Sequence, residues 1–131
     1  MNKGEIIYRP TLPITLRYGR ITIPVSDALV DTGADQTLLP LAFAIQFGFR
    51  FDLLRDGVEW SGAGGGKFRV FPAPKLIEFI LEQRGFRSMH WTGFASFTLD
   101  QPTILLGHRG CLDNLDLLFR GKERTLEVHE S

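Results

Sequence analysis

Asp31 is followed by Thr32, Gly33 and Ala34 and preceded by the apolar run Ala28, Leu29 and Val30. An acid in that setting ends a buried strand, and the small residues after it leave no bulk between its carboxylate and an approaching ligand. A carboxylate is set in this way at the floor of a cleft for general acid or base work, with backbone donors exposed beside it. A second acid opens the stretch Asp35-Gln36-Thr37-Leu38-Leu39-Pro40. Turns collect Asp and Gly for ordinary reasons, so the tripeptide alone is a weak signal. It gains weight from the apolar strand before it, the small Ala34, the acid at Asp35, and a later aliphatic segment, Ile104-Leu105-Leu106, that ends in Gly107. A glycine there permits close backbone approach that a side chain would obstruct.

Other chemistries fail on residue type or spacing. The segment 56–70 contains Gly62, Gly64, Gly65 and Gly66, which invites a phosphate-cradling reading. A Walker loop would need glycine at 61 and Ser or Thr at 68, where the chain has Ser61 and Phe68; a dinucleotide loop would need glycine at 67, where it has Lys67. His90, His108 and His129 are widely spaced, and no His or Cys stands at a metal-ligand interval from another, so no metal and no cofactor are expected. No Gly-x-Ser-x-Gly elbow occurs. Asp113, Asn114 and Asp116 lack the remaining ligands of a calcium loop.

The elements that must position Asp31 read mostly as strands. The chain has 131 residues, 44% of them hydrophobic, which suits one compact domain over 1–131. Runs 11–17 and 20–25 form a predicted hairpin about Tyr18-Gly19. Runs 68–71, 75–81, 88–99, 103–106 and 125–129 continue the pattern, with Pro72 and Pro74 breaking or bending one of them. Helical periodicity is scarce: 40–47 after a proline start, and 110–117 with Leu112, Leu115 and Leu118 on one face. Glycines at 62–66 suit either an irregular surface loop or a mobile cover at a hairpin tip. Trp60, Phe68, Phe71 and Trp91 suit core and ligand-lining positions equally.

Fifteen basic and fifteen acidic residues give no net charge, which supports neither a nucleic-acid footprint nor a polybasic membrane anchor and permits self-association. The one cysteine, Cys111, cannot form an internal disulfide and reads as a small apolar packing side chain. The first ten residues carry no apolar core of signal-peptide length, and no stretch is long enough to span a bilayer, so a soluble cytoplasmic protein is expected.

The tetrapeptide Asp31-Thr32-Gly33-Ala34, followed by Asp35 and later by Leu106-Gly107, resembles the two halves of the signature of retropepsin-like aspartic proteases, over roughly residues 11–120. The resemblance implies an all-β fold, a small closed barrel of the acid-protease type with one or two short helices and a β-hairpin flap at about 57–70. It implies a C-terminal strand or tail at about 121–131 in a family whose terminal strands often build a dimer sheet. It assigns catalysis to Asp31, Thr32 and Gly33, substrate binding to Ala34, Asp35, Gly62, Ala63, Gly64 and Gly65, and structural support to Leu106, Gly107, His108 and Arg109. Members from retroviruses carry arginine directly after the glycine and pair it with the acid at the position of Asp35. Here His108 stands in that place, so either Arg109 or His108 supplies the pair, or both line a solvated helix entrance. Because the tripeptide occurs once, the resemblance implies a homodimer in which two Asp31 carboxylates share a proton. The function implied is an aspartic endopeptidase acting on extended protein or peptide segments. A non-catalytic dimeric peptide-binding module on the same fold is the alternative, and an unrelated small barrel indifferent to Asp31 a third.

Overall fold

A computed structural model of the chain describes residues 10–61, 66–82, 87–99, 104–120, 122 and 125–130. Strands β1 (Thr11–Tyr18) and β2 (Ile21–Val30) form an antiparallel hairpin with Tyr18 paired to Ile21. The turn is therefore Gly19-Arg20, one residue later than expected, and Gly19 takes it with φ +60°. In β1 the alternation is clean: Leu12, Ile14 and Leu16 are buried between exposed Thr11, Pro13 and Arg17. The register slips between Leu12 and Ile14, which puts Pro13, lacking an N–H for the ladder, at the irregularity.

β3 (Leu38–Pro40) leads directly into helix α1 (Leu41–Phe47). Pro40 stands extended before the first turn, and Leu41, Ala44 and Phe47 bury one face. The helix stops at Gly48, φ +88°, where Gly48 N–H donates to Ile45 O at 3.1 Å and Phe49 N–H to Ala44 O at 2.9 Å. That is the double closure a left-handed glycine allows.

β4 (Val58–Ser61) and β5 (Lys67–Pro72) pair antiparallel, with Trp60 opposite Phe68. The tip between them carries Gly62, Ala63, Gly64 and Gly65, which lie outside the described residues. β6 (Ile77–Leu81) is followed by β7 (Met89–Gly93) and β8 (Ser96–Thr98), so the single run expected over 88–99 is broken at Phe94-Ala95. The two halves serve different partners, β7 pairing with β6 and β8 with β3 and β5. β9 (Leu105–Leu106) completes a nine-stranded sheet in the order β4-β5-β8-β3-β9-β2-β1-β6-β7. Among the described residues this order leaves β4 and β7 as its two ends.

The helix expected over 110–117 is corrected. A single 3-10 turn covers Leu112–Asn114, and β10 (Leu115–Arg120) then pairs with β11 (Thr125–Glu130) as a separate two-stranded sheet. Gly110 lies at φ +89°, outside helical space, and Leu117 lies opposite Val128 across the new ladder. Leu115 is buried, and Leu117, Leu126 and Val128 pack against the main core.

That core holds Leu16, Leu39, Phe71, Ile77, Phe79, Phe97 and Leu106 with essentially no exposure. Phe71 is thus a core residue. Trp91 is half-buried, stacks on Phe79 at 5.7 Å and donates its Nε1–H to Gly110 O at 2.8 Å. Among the described residues no helix is long and apolar enough to cross a membrane.

Cys111 is fully buried in the same core, and burial pushes its thiol up to about 12 from an ordinary 9.0. The thiolate is the reactive form, so alkylation of the folded protein by iodoacetamide at pH 8 is expected to be at least about 100-fold slower than in denaturant. The sign of the linkage follows: the folded state keeps a proton that the unfolded state loses near pH 9. The contribution is full below that pH and declines as pH rises toward 12, a loss that thermal melts of the native chain and Cys111→Ala would separate.

Candidate active site

Asp31 is the first residue past β2, and its place is set by backbone pairing. β2 and β9 run parallel, with Leu29 beside Leu105 and Val30 beside Leu106. Leu29 N–H donates to Ile104 O at 2.8 Å and Asp31 N–H to Leu106 O at 3.1 Å. Val30 and Leu106 are buried, while Thr32 and Gly33 are exposed, so the carboxylate emerges where the core ends. Two local bonds shape the loop: Ala34 N–H donates to Asp31 O at 3.1 Å, and Gly33 N–H to Asp31 Oδ1 at 3.0 Å. A backbone donor on a carboxylate oxygen fixes the direction in which the group points.

The segment after β9 closes over this loop as a second ladder. His108 N–H donates to Ala34 O at 3.0 Å, Arg109 N–H donates to Asp35 O at 2.8 Å, and Gln36 and Arg109 form a parallel bridge. The approach is close enough that a Cβ on Gly107 would overlap the Gln36 carbonyl and lie 2.9 Å from Ala34 O. Gly107 is required by space.

Thr37 locks the two segments together, a role that sequence reading missed. Its side chain is fully buried; Oγ1 donates to Arg109 O at 3.0 Å and accepts from Gly107 N–H at 3.2 Å. The available signal was a hydroxyl residue two positions after Asp35 and directly before the apolar Leu38-Leu39. A threonine there is either exposed in a loop or buried with both hydrogen-bonding capacities used.

His108 and Arg109 brace the loop through their backbones. Among the described residues neither side chain pairs with the Asp35 carboxylate. His108 Nε2 lies 2.8 Å from Thr32 O, and its Nδ1 lies 3.7 Å from Asp113 Oδ1. Because a carbonyl oxygen only accepts, Nε2 carries a proton. Arg109 instead lines, with Gln36, a cavity of about 320 Å³ walled by Val58, Trp60, Pro72 and Phe94. The cavity thus joins the Asp31 loop's own ladder to the root of the β4–β5 hairpin, and it brings Trp60 to the site as a lining residue.

The structure therefore gathers Asp31, Thr32, Gly33, Ala34, Asp35, Leu106, Gly107, His108 and Arg109 into one unit, while 62–65 lie outside the described residues. The described residues contain no cluster of three metal-ligating side chains. What one chain offers chemically is an oriented carboxylate at Asp31 and, at the Gln36–Arg109 bridge of the same ladder, a cavity walled largely by apolar side chains.

No protein-family model matches the sequence, and no curated protein matches it. Among solved structures the chain is similar to a retropepsin-like aspartic protease from Rickettsia conorii. The two share 20% sequence identity over 92% of this chain and 89% of that one, with a TM-score of 0.54. It is also similar to the EIAV protease in complex with an inhibitor, at 24% identity over 82% of this chain and 86% of that one, with a TM-score of 0.49. The first likeness shows the fold: a retropepsin-like one, mostly β with one α-helix among the described residues.

Proposed function

We propose that this chain is one retropepsin-like domain over 1–131, folded as a small closed barrel, and that it is an aspartic endopeptidase active as a homodimer. The observation that carries this reading is the Asp31 carboxylate, delivered by β2 to the edge of the core and held by the Gly33 N–H at 3.0 Å. Each chain supplies one such group, and the chemistry needs two. Brought together on a two-fold axis, two Asp31 carboxylates cannot both ionise, so they share a proton and titrate as a pair. The ionised member takes a proton from a water between them; the protonated member donates to the scissile carbonyl as the tetrahedral intermediate forms.

Thr32 and Gly33 hold the two loops in register, and Gly33 together with Ala34 leaves room for a substrate backbone. Asp35, without a partner for its carboxylate among the described residues of its own chain, is available to substrate N–H groups or to the second chain. The β4–β5 hairpin acts as a cover, its tip at 62–65 closing over an extended peptide bound as an added strand. The cavity beside Trp60 and Phe94 takes a substrate side chain. The β10–β11 hairpin is the proposed dimer contact: it stands apart from the main sheet and leaves Leu118 and Phe119 each 45% exposed.

The test is cleavage of a diverse peptide pool between pH 3 and 8 over a wide range of chain concentration, with mass measured by sedimentation. Activity per chain is expected to rise with concentration and level off as the dimer fills. Leu118→Lys places a charge on the proposed contact, opposite Glu127, and is expected to shift the chain toward monomer and lower activity at least about tenfold at fixed concentration. Cleavage by a monomer would overturn the shared-dyad mechanism. A well-formed dimer that binds peptides and cuts none would make the chain a binding module.

A further inference from the structure

We infer that His108 is a positioning residue for the Asp31 carboxylate, acting through a single peptide group; this rests on the reading of Asp31 as the reacting acid. The carbonyl of Thr32 and the N–H of Gly33 belong to the same peptide plane. On one side of that plane His108 Nε2 donates to Thr32 O at 2.8 Å; on the other, Gly33 N–H donates to Asp31 Oδ1 at 3.0 Å. The plane can pivot about its flanking dihedrals, and Gly33 adds conformational freedom at one end. Without a donor on Thr32 O, its carbonyl is held on the exposed side by nothing else among the described residues. The imidazole therefore fixes the plane, and the plane fixes the donor that aims the carboxylate.

Polarity runs the same way as geometry. A donor on the carbonyl polarises the amide and strengthens its N–H as a donor, since hydrogen bonds in series reinforce one another. The charged groups around the ring are Asp113, whose Oδ1 lies 3.7 Å from Nδ1, and Asp31 beyond the peptide, with Asp35 and Arg109 on the two paired segments. The ring gives its Nε2–H to the Thr32 carbonyl, and its Nδ1 side faces the Asp113 carboxylate. His108 is itself anchored by its backbone, whose N–H is bonded to Ala34 O, so the ring swings little relative to the loop it braces. The side chain directly after Gly107 thus serves the Thr32 carbonyl.

Two variants separate positioning from bulk stability. His108→Gln keeps an amide donor of similar reach and removes the titration; His108→Ala removes the donor. The first readout is the Gly33 amide resonance, followed by NMR against pH in an Asp31→Asn background, where the carboxylate's own titration is absent. With His108 present the Gly33 signal is expected to move as the ring titrates. With His108→Gln it is expected to hold near the bonded position without that movement, and with His108→Ala to shift and exchange with water at least about tenfold faster. The second readout is kinetic, in the Asp31 protein: His108→Ala lowers kcat about 10- to 100-fold with KM within about twofold, and His108→Gln restores most of the loss. A Gly33 signal that ignores both substitutions in a folded protein would overturn the inference. Loss of kcat in strict proportion to loss of melting temperature, unrescued by Gln, would do the same. Absence of cleavage in every form would count against the protease reading alone, since the NMR titration decides the role of His108 without it.

Discussion

Asp31→Asn is expected to lower kcat for peptide cleavage by at least about a thousandfold while leaving fold and assembly intact. The asymmetry follows from what each atom does. The Asn side-chain carbonyl can still accept from Gly33 N–H at the 3.0 Å position of Oδ1, so the loop keeps its shape. What is lost is the ability to take a proton from water and return it to the leaving group. In the proposed dimer the two Asp31 carboxylates compete for a single proton, so the neutral replacement relieves a cost and the melting temperature should stay level or rise. The measurement is kcat on any peptide the native chain cuts, alongside sedimentation and a thermal melt. Retention of more than a tenth of the native rate by a folded dimer would remove Asp31 from the chemistry.

Gly107→Ala is expected to be severely damaging for so small a change. A Cβ at that position meets backbone, not a yielding side chain: it overlaps the Gln36 carbonyl and comes to 2.9 Å from Ala34 O. Relief requires the 34–36 segment to separate from 107–109. That would break the bonds from His108 N–H and Arg109 N–H and disturb both contacts of Thr37 Oγ1. Overpacking of this kind costs about 3 kcal/mol or more once buried hydrogen bonds are lost with it. Any protein that still folds would hold Asp31 out of place, and about 1 Å of misplacement lowers rate about a hundredfold. Gly66→Ala is the control, because a Cβ there meets nothing within 4 Å, and its effect on stability should stay within about 0.5 kcal/mol. Equal melting curves for Gly107→Ala and the native chain would show that the two segments are not in tight register.

The parts of this architecture that were legible in the sequence are those where local chemistry leaves few choices. Asp31 between an apolar run and three small residues, Gly107 after aliphatics, and α1 between Pro40 and Gly48 each announce themselves through residue type. The segment 110–117 did not, because Leu112, Leu115 and Leu118 repeat with helical spacing while the decision is made elsewhere. Gly110 adopts a left-handed backbone and β11 offers a partner strand, and neither is visible in the window itself. The break at Phe94-Ala95 has a similar origin, since β7 and β8 answer to partners from different parts of the chain. Contacts such as His108 with Thr32, 76 positions apart, are set by the finished fold. Trp60 is likewise placed by tertiary contact, lining one cavity with Gln36 and Arg109.

The site is fastened chiefly by backbone groups that every residue except proline carries in full. Asp31 N–H on Leu106 O, His108 N–H on Ala34 O, and Arg109 N–H on Asp35 O are main-chain bonds, indifferent to the side chains at those positions. Side-chain identity enters the clamp through the empty space at Gly107, the hydroxyl of Thr37 and the ring of His108. A fastening of this kind stores the design in backbone register and spends very little of it on spelling. Such a chain can wander far in composition while its reactive centre stays put, and two proteins sharing 20% of their residues can still share one fold over nearly their whole length.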